Sequence, residues 1–440
     1  QAAYQSLDEA QRQNTHLTIG RLLKKHQQSN NTPLQGSALF DVVEQLNEGR
    51  DLITDKDERL ELAQFNLQAA LLSKASSVWD NALRCTKIAM TLQPDKAWDE
   101  MYELTLKLNL LCIECEYLTI NPENAERLAE EVLPKIQSNI VKAQLCDLLT
   151  LNNNSHGDLD YGTQKAIEGV SYCGINVPSS DEALLQQIEI EQTQLNKLLK
   201  KMSIADLEQR PLATAPHIII SQQLLSRLAQ ISAVAKQHAL FQFSTLTGIN
   251  SIFKNGISEQ ATFLLALYGI FLIQKKDYQT AFEFAQLAMK IINKNPDITN
   301  ISPIYNALGL HIWFYKRSLD ETTILQQRGY RLGSEYGDPI ALGCFGMMVI
   351  NLFAKGDPLP QISSHIKQLR KLMIQHKATR VAGSHYQPLI DMLQDPKASN
   401  LLRQEAYSAS EWAMIQATPL KAIIPHLRLQ WYFWNNDTEQ

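Results

Sequence analysis

LLALYGIFLIQKKDYQTAFEFAQLAMKIINKNP, residues Leu264–Pro296, decides the fold. With Phe263 just ahead of it, its first part completes eleven apolar residues in a row, Phe263 to Ile273, and its second part repeats apolar residues at steps of three and four. Such steps place side chains on one face of an α-helix. The polar break Lys275–Asp277 separates two such segments, so the stretch reads as two helices joined by a tight turn at Asp277-Tyr278. Gly269, Ala281 and Ala288 are the small residues of the unit. Two helices crossing closely need small residues at the contact, and these three are assigned to it.

The same pattern extends in both directions. Met101, Leu104, Leu108, Leu111, Cys115 and Leu118 follow helical spacing, as do Leu224, Leu228, Ile231 and Ala235. Short breaks, such as NNNSHGD (Asn152–Asp158) and NKNPDITN (Asn293–Asn300), suit connections between antiparallel helices. No alternating run longer than about four residues argues for a strand. A helical chain of 440 residues invites a search for repeats. Setting Gly269 at the small position of the first helix puts Ala281 and Ala288 at the small positions of the second, as in a tetratricopeptide unit. Ala82, Ala89 and Pro94 mark a second unit and Ala125 a third. The spacing is 40 residues from Gly269 to Gly309 and 43 from Ala82 to Ala125, longer than the roughly 34 of a regular tetratricopeptide repeat. The expectation is an all-α array of degenerate antiparallel helix pairs, more than about 65% helix where average domains have about a third.

Composition sets limits. There are 41 basic and 46 acidic side chains, for a net charge of −5, with 45% apolar residues, 18 Gly and 16 Pro. A chain this apolar is not disordered, and its near-balanced charge gives no footprint for nucleic acid or an anionic membrane. The eleven-residue apolar run is half of what a spanning helix needs. No basic flank and apolar core open the chain, so no signal peptide is read. The six Cys read as reduced, buried thiols of a cytoplasmic protein. The longer polar helix Glu182–Met202 and the following Pro-containing loop suggest a boundary, giving an N-terminal half over 1–205 and a C-terminal half over 206–440, continuous with the first.

Five stretches, in order, resemble a known family: HLTIGRLL (His16–Leu23), LFDVVEQLNEGRDLI (Leu39–Ile53), ERLELAQFNLQAALLSKASSVWDNALRC (Glu58–Cys85), YELTLKLNLLCIECEYLT (Tyr102–Thr119) and LFAKGDPL (Leu352–Leu359). They look like the helical region of large multidomain signalling kinases. In that family a serine/threonine-kinase-like domain and a STAND/AAA-type ATPase precede the helical region, and a GAF sensor and histidine kinase follow it. The resemblance covers about residues 15–360. Departures are Ala70, where the family has Gly, Leu71-Leu72 in place of a basic pair, and Ile120-Asn121 after the last Leu-Thr. The resemblance implies a tetratricopeptide-like, MalT-like superhelical array and a piece of a longer chain. It also implies a non-catalytic regulatory module, coupling a bound protein segment or small ligand on its concave face to the neighbouring ATPase and GAF/kinase domains. The alternative is a stand-alone helical adaptor or effector scaffold.

The residues themselves carry no catalytic signature: no phosphate-cradling G-x-x-x-x-G-K-[S/T], no H-R-D or D-F-G, no G-x-S-x-G and no H-E-x-x-H. No catalytic residue, metal ligand or cofactor is therefore expected in these 440 residues. Cys112-Ile-Glu-Cys115 lacks the second ligand pair of a zinc site and lies within helical text, so it reads as packing. The acidic run Asp55, Asp57, Glu58 and Glu61 suits a solvated helix start. The most unusual local composition is LGLHIWFYKR. Read as helical, it offers His311, Trp313, Tyr315 and Arg317 as a candidate interaction surface, since exposed aromatics beside Arg anchor interfaces. The cluster Trp431, Tyr432, Phe433 and Trp434 reads as the face for a packing neighbour.

Overall fold

The computed structural model describes residues 8–29, 34–119, 121–156, 159–294, 301–335, 338 and 340–375. The terminal aromatic cluster from Trp431 to Trp434 lies outside them. The structure is 83% helical, with no strand among the described residues. It is an array of antiparallel, tetratricopeptide-like helix pairs. The contact pattern divides it into two units, Gln1–Val177 and Pro178–Gln440.

The first unit contains α1 (Glu9–Ser29), α2 (Ser37–Glu48), α3 (Lys56–Ala75), α4 (Trp79–Thr91), a single turn α5 (Ala97–Glu100), α6 (Tyr102–Leu118), α7 (Pro122–Val132), α8 (Asn139–His156) and α9 (Leu159–Tyr172). Neighbours in sequence pack as pairs: α1 on α2, α3 on α4, α6 on α7 and α8 on α9. Small residues sit where pairs touch. Ala69, Ala70, Ala82, Ala89 and Ala125 are all fully buried. The Gly-to-Ala departure at position 70 is accommodated in the core, while Leu71 and Leu72 stay exposed. Asp55 caps α3 by accepting from the Glu58 N–H at 2.8 Å, as the acidic run implied. Glu58 and Glu61 are not merely solvated, however. They bind Arg21 and Lys24 of α1, which ties the start of the second pair to the first.

The second unit opens with α10 (Asp181–Lys201) and α11 (Ile204–Gln209), followed by four pairs: α12 (Pro216–Val234) with α13 (His238–Asn255), α14 (Thr262–Gln274) with α15 (Tyr278–Lys294), α16 (Ser302–His311) with α17 (Leu319–Glu335), and α18 (Ala341–Lys355) with α19 (Leu359–Gln375). The boundary therefore falls ahead of the one expected at 205. The physical reason is α10. Despite its polar sequence it buries Leu184, Ile188 and Leu195 and packs on α13. The Asn250 amide donates to both the Glu191 carbonyl, at 2.9 Å, and its carboxylate, at 2.6 Å.

The first helix of each pair packs on the first helix of the next: α12 on α14, α14 on α16, α16 on α18. Gly269, Ala281 and Ala288 are all buried within this pair, as expected, and Gly269 lies against the Ala281 backbone. Gly269 has a second task. A Cβ there would come within 3.3 Å of the Ala281 carbonyl and within 2.5 Å of Cδ1 of Ile312, a residue of the next pair. The missing side chain thus makes a recess that Ile312, fully buried, fills.

Three of the four turns inside these pairs share one backbone device, and so does the turn between α3 and α4. The helix ends in a left-handed residue, Ser77 (φ 58°), Lys236 (φ 59°), Lys276 (φ 63°) or Gly356 (φ 78°). The next N–H then donates back to a carbonyl five residues earlier: Val78 to Ser73 at 2.9 Å, Gln237 to Ser232 at 2.9 Å, Asp277 to Leu272 at 2.9 Å and Asp357 to Leu352 at 3.1 Å. This closes the orphan carbonyls of a helix end. Only Gly356 does so without a steric cost.

Candidate functional site

The turn between α16 and α17 departs from that device. Ile312 leaves helical geometry (φ −127°, ψ −46°) as it enters the Gly269 recess, and Trp313–Tyr315 then form a 3-10 turn. The helical reading of Trp313 to Arg317 is therefore corrected. These residues occupy a turn between paired helices, and their arrangement follows from the turn, not from a helical face. Ser318 restarts the helix with a reciprocal cap: its hydroxyl accepts from the Glu321 N–H at 3.2 Å and its own N–H donates to the Glu321 carboxylate at 3.1 Å.

The turn lies against the start of α15. The Trp313 ring meets Phe282 with centroids 5.1 Å apart, and Tyr315 stacks on Tyr278 at 4.7 Å and 27°. Phe314 and Tyr315 touch at 4.5 Å. The Arg317 guanidinium lies 5.3 Å over the Phe282 ring and pairs with Glu321 at 3.4 Å. Phe314, Tyr315 and Tyr278 remain 42%, 44% and 37% exposed, so this is an aromatic surface that the packing leaves open. Large apolar groups left in water cost free energy that covering them recovers.

Of the four residues singled out in the sequence, Trp313 and Arg317 converge on Phe282, and Tyr315 lies beside them on Tyr278. His311 ends α16 with an exposed position and makes no ring contact among the described residues. Sequence reading missed Tyr278 and Phe282, the partners supplied by the preceding pair. The signal that could have found them is the 40-residue step, which places the 276–278 turn in register with 316–318.

Elsewhere the chemistry is quiet. Cys85, Cys112, Cys115, Cys146 and Cys344 are buried free thiols, and Cys173 is half-buried. Desolvation pushes Cys112, Cys115 and Cys173 up to about 11, and Cys146 and Cys344 up to about 12. A thiol held protonated is a poor nucleophile and a poor metal ligand. Among the described residues no group of three or more His, Cys, Asp or Glu is placed to hold a metal ion, and no helix is long and apolar enough to cross a membrane. In the first unit Lys165 is buried, its ammonium 2.7 Å from Glu130 and 3.1 Å from Glu168. Burial alone would lower its pKa, but these two carboxylates more than offset that, and the group stays charged.

No family model matches the chain. A stretch of 106 residues is 28% identical to the hybrid signal transduction histidine kinase G of Dictyostelium discoideum, covering 22% of this chain and 3% of that protein. Among solved structures the chain is similar to a Signal Transduction ATPase with Numerous Domains (STAND) protein with a tetratricopeptide repeat sensor from Pyrococcus horikoshii. The TM-score is 0.45 at 12% identity, with 96% of this chain and 55% of that one covered.

Proposed function

We propose that this chain is a non-catalytic regulatory module of a multidomain signal-transduction kinase, which binds a protein segment or small ligand and couples that binding to ATPase and kinase output. The observation that carries the reading is the open aromatic edge at Tyr278, Phe314 and Tyr315 with Arg317 beside it, because rigid aromatics next to Arg are the side chains that anchor protein interfaces. The ordered family-like stretches and the partial match to a signalling histidine kinase support the kinase context. Under this reading nucleotide binding and phosphoryl transfer belong to other domains of the same protein, and this module is cytoplasmic with them.

Arg317→Glu tests it. The exposed side chain gives up only its pair with Glu321 and its place over Phe282, so folding stability should fall by no more than about 1 kcal/mol, while stimulus-dependent output of the full-length kinase should fall. Normal output from that variant would remove the edge from the regulatory path. ATP hydrolysis by the isolated chain would overturn the non-catalytic reading.

A further inference from the structure

The turns of the second unit carry a second regularity. Lys236, Lys276 and Lys316 follow one another at intervals of exactly one pair, 40 residues each. All three are exposed, and among the described residues none forms an ion pair. Because each first helix packs on the next first helix, the turns come out side by side along one edge. Two contacts bridge neighbouring turns directly: the Tyr278–Tyr315 stack at 4.7 Å and the Lys355–Asp320 pair at 2.5 Å.

The acids on the same edge are already engaged. Asp277 caps the Thr280 N–H at 3.1 Å, Glu321 holds Ser318 and Arg317, and Asp320 and Asp357 share Lys355. What remains unmatched is a row of three ammonium groups with exposed aromatic rings between and beside them. Neighbouring helices lie about 8–10 Å apart, and an extended chain of polyproline II type advances about 3.1 Å per residue with three residues per turn, which returns every third side chain to one face. One pair-to-pair step therefore corresponds to about three residues of such a peptide, one full turn. A dense polyanion fits worse, because Asp277, Asp320, Glu321 and Asp357 would face its uniform negative charge.

We propose that this turn edge docks an extended acidic protein segment whose carboxylates recur about every third residue, with Lys236, Lys276 and Lys316 as their partners and Tyr278, Phe314 and Tyr315 as the apolar floor. The proposal rests on the regulatory-module reading for its purpose, and names the partner of the same edge. The deciding experiment measures fluorescence anisotropy of a labelled seven-residue peptide, with Asp at its first, fourth and seventh positions and Phe between, against the 440-residue chain. Binding should weaken as salt rises and fall by about tenfold or more in the Lys236→Glu, Lys276→Glu, Lys316→Glu triple variant. A second variant, Lys236→Gly with Lys276→Gly, removes two charges while relieving two left-handed side chains. It should bind more weakly although it is the more stable protein, which separates loss of the site from loss of the fold.

An unchanged affinity in both variants overturns the proposal. So does equal or tighter binding of single-stranded oligonucleotide or anionic vesicles, which would assign the edge to a different class of partner. The full-length kinase distinguishes the two readings. If the triple variant loses the peptide yet signals normally, docking stands and the regulatory role fails. If Arg317→Glu impairs output but no peptide binds, the regulatory role stands and the acidic partner fails.

Discussion

Replacing Lys276 by glycine should stabilise the second unit. Lys276 holds φ at 63°, where the Cβ of an L-residue crowds its own carbonyl at a cost of about 1–2 kcal/mol. Glycine removes that cost but loses more freedom on folding, about 0.4–1 kcal/mol. The lysine side chain is exposed, and its ammonium forms no ion pair among the described residues, so nothing else is given up. The net expectation is a gain of about 0.5–1 kcal/mol. Lys236→Gly should act alike, and because the two side chains share no partner their effects should add. Lys276→Ala is the control, because alanine keeps the crowded Cβ and should change little. Gly356→Ala is the converse, imposing at φ 78° the cost that Lys276 already bears. Urea denaturation followed by far-ultraviolet circular dichroism reads all four. A destabilised Lys276→Gly, with a neutral Gly356→Ala, would refute the reasoning that this turn geometry is strained.

Three further outcomes are expected. Gly269→Ala should destabilise by about 1–3 kcal/mol because the new methyl meets Ile312, and Ile312→Val should recover part of it in a double-mutant cycle; Ala281→Leu, with no such neighbour to trim, should cost a similar amount. Iodoacetamide at pH 8 should leave Cys85, Cys112, Cys115, Cys146 and Cys344 unlabelled in the folded protein and reach all six thiols in urea, and rapid native labelling of Cys112 or Cys115 would contradict their burial. Hydrogen bonding to Arg21 lowers the Glu58 pKa, so the pair's contribution is present above the ordinary carboxylate value and is lost as pH falls through the depressed folded value; Glu58→Gln should lower stability slightly at neutral pH, the pair being partly exposed, make no difference below the folded value, and so flatten the acid side of the stability curve.

Much of this architecture was legible because helical periodicity is local. Gly269, Ala281 and Ala288 could be placed in one pair from their spacing alone, and all three are buried there. What escaped depends on residues distant in the chain. The helix through LGLHIWFYKR stops at His311 because Ile312 fits a recess made by a glycine in the previous pair, and no five-residue window contains that fact. The boundary near 178 escaped for a similar reason: α10 looks polar, and its assignment rests on three buried apolar residues and on Asn250, far along the chain. The cationic row was visible in principle, since equal 40-residue intervals need only counting. It gained meaning once the turns were seen to lie side by side.

The fit of Ile312 into the recess at Gly269 has a mechanical consequence. It works like a detent: the pair containing α16 cannot slide along or rotate about its predecessor without lifting a methyl group out of its seat. The very next residues form the exposed aromatic turn. Anything that grips that turn therefore pulls directly on the catch between two repeats, and a pull strong enough to release it would change the spacing of the array at that one joint while leaving the helices on either side intact.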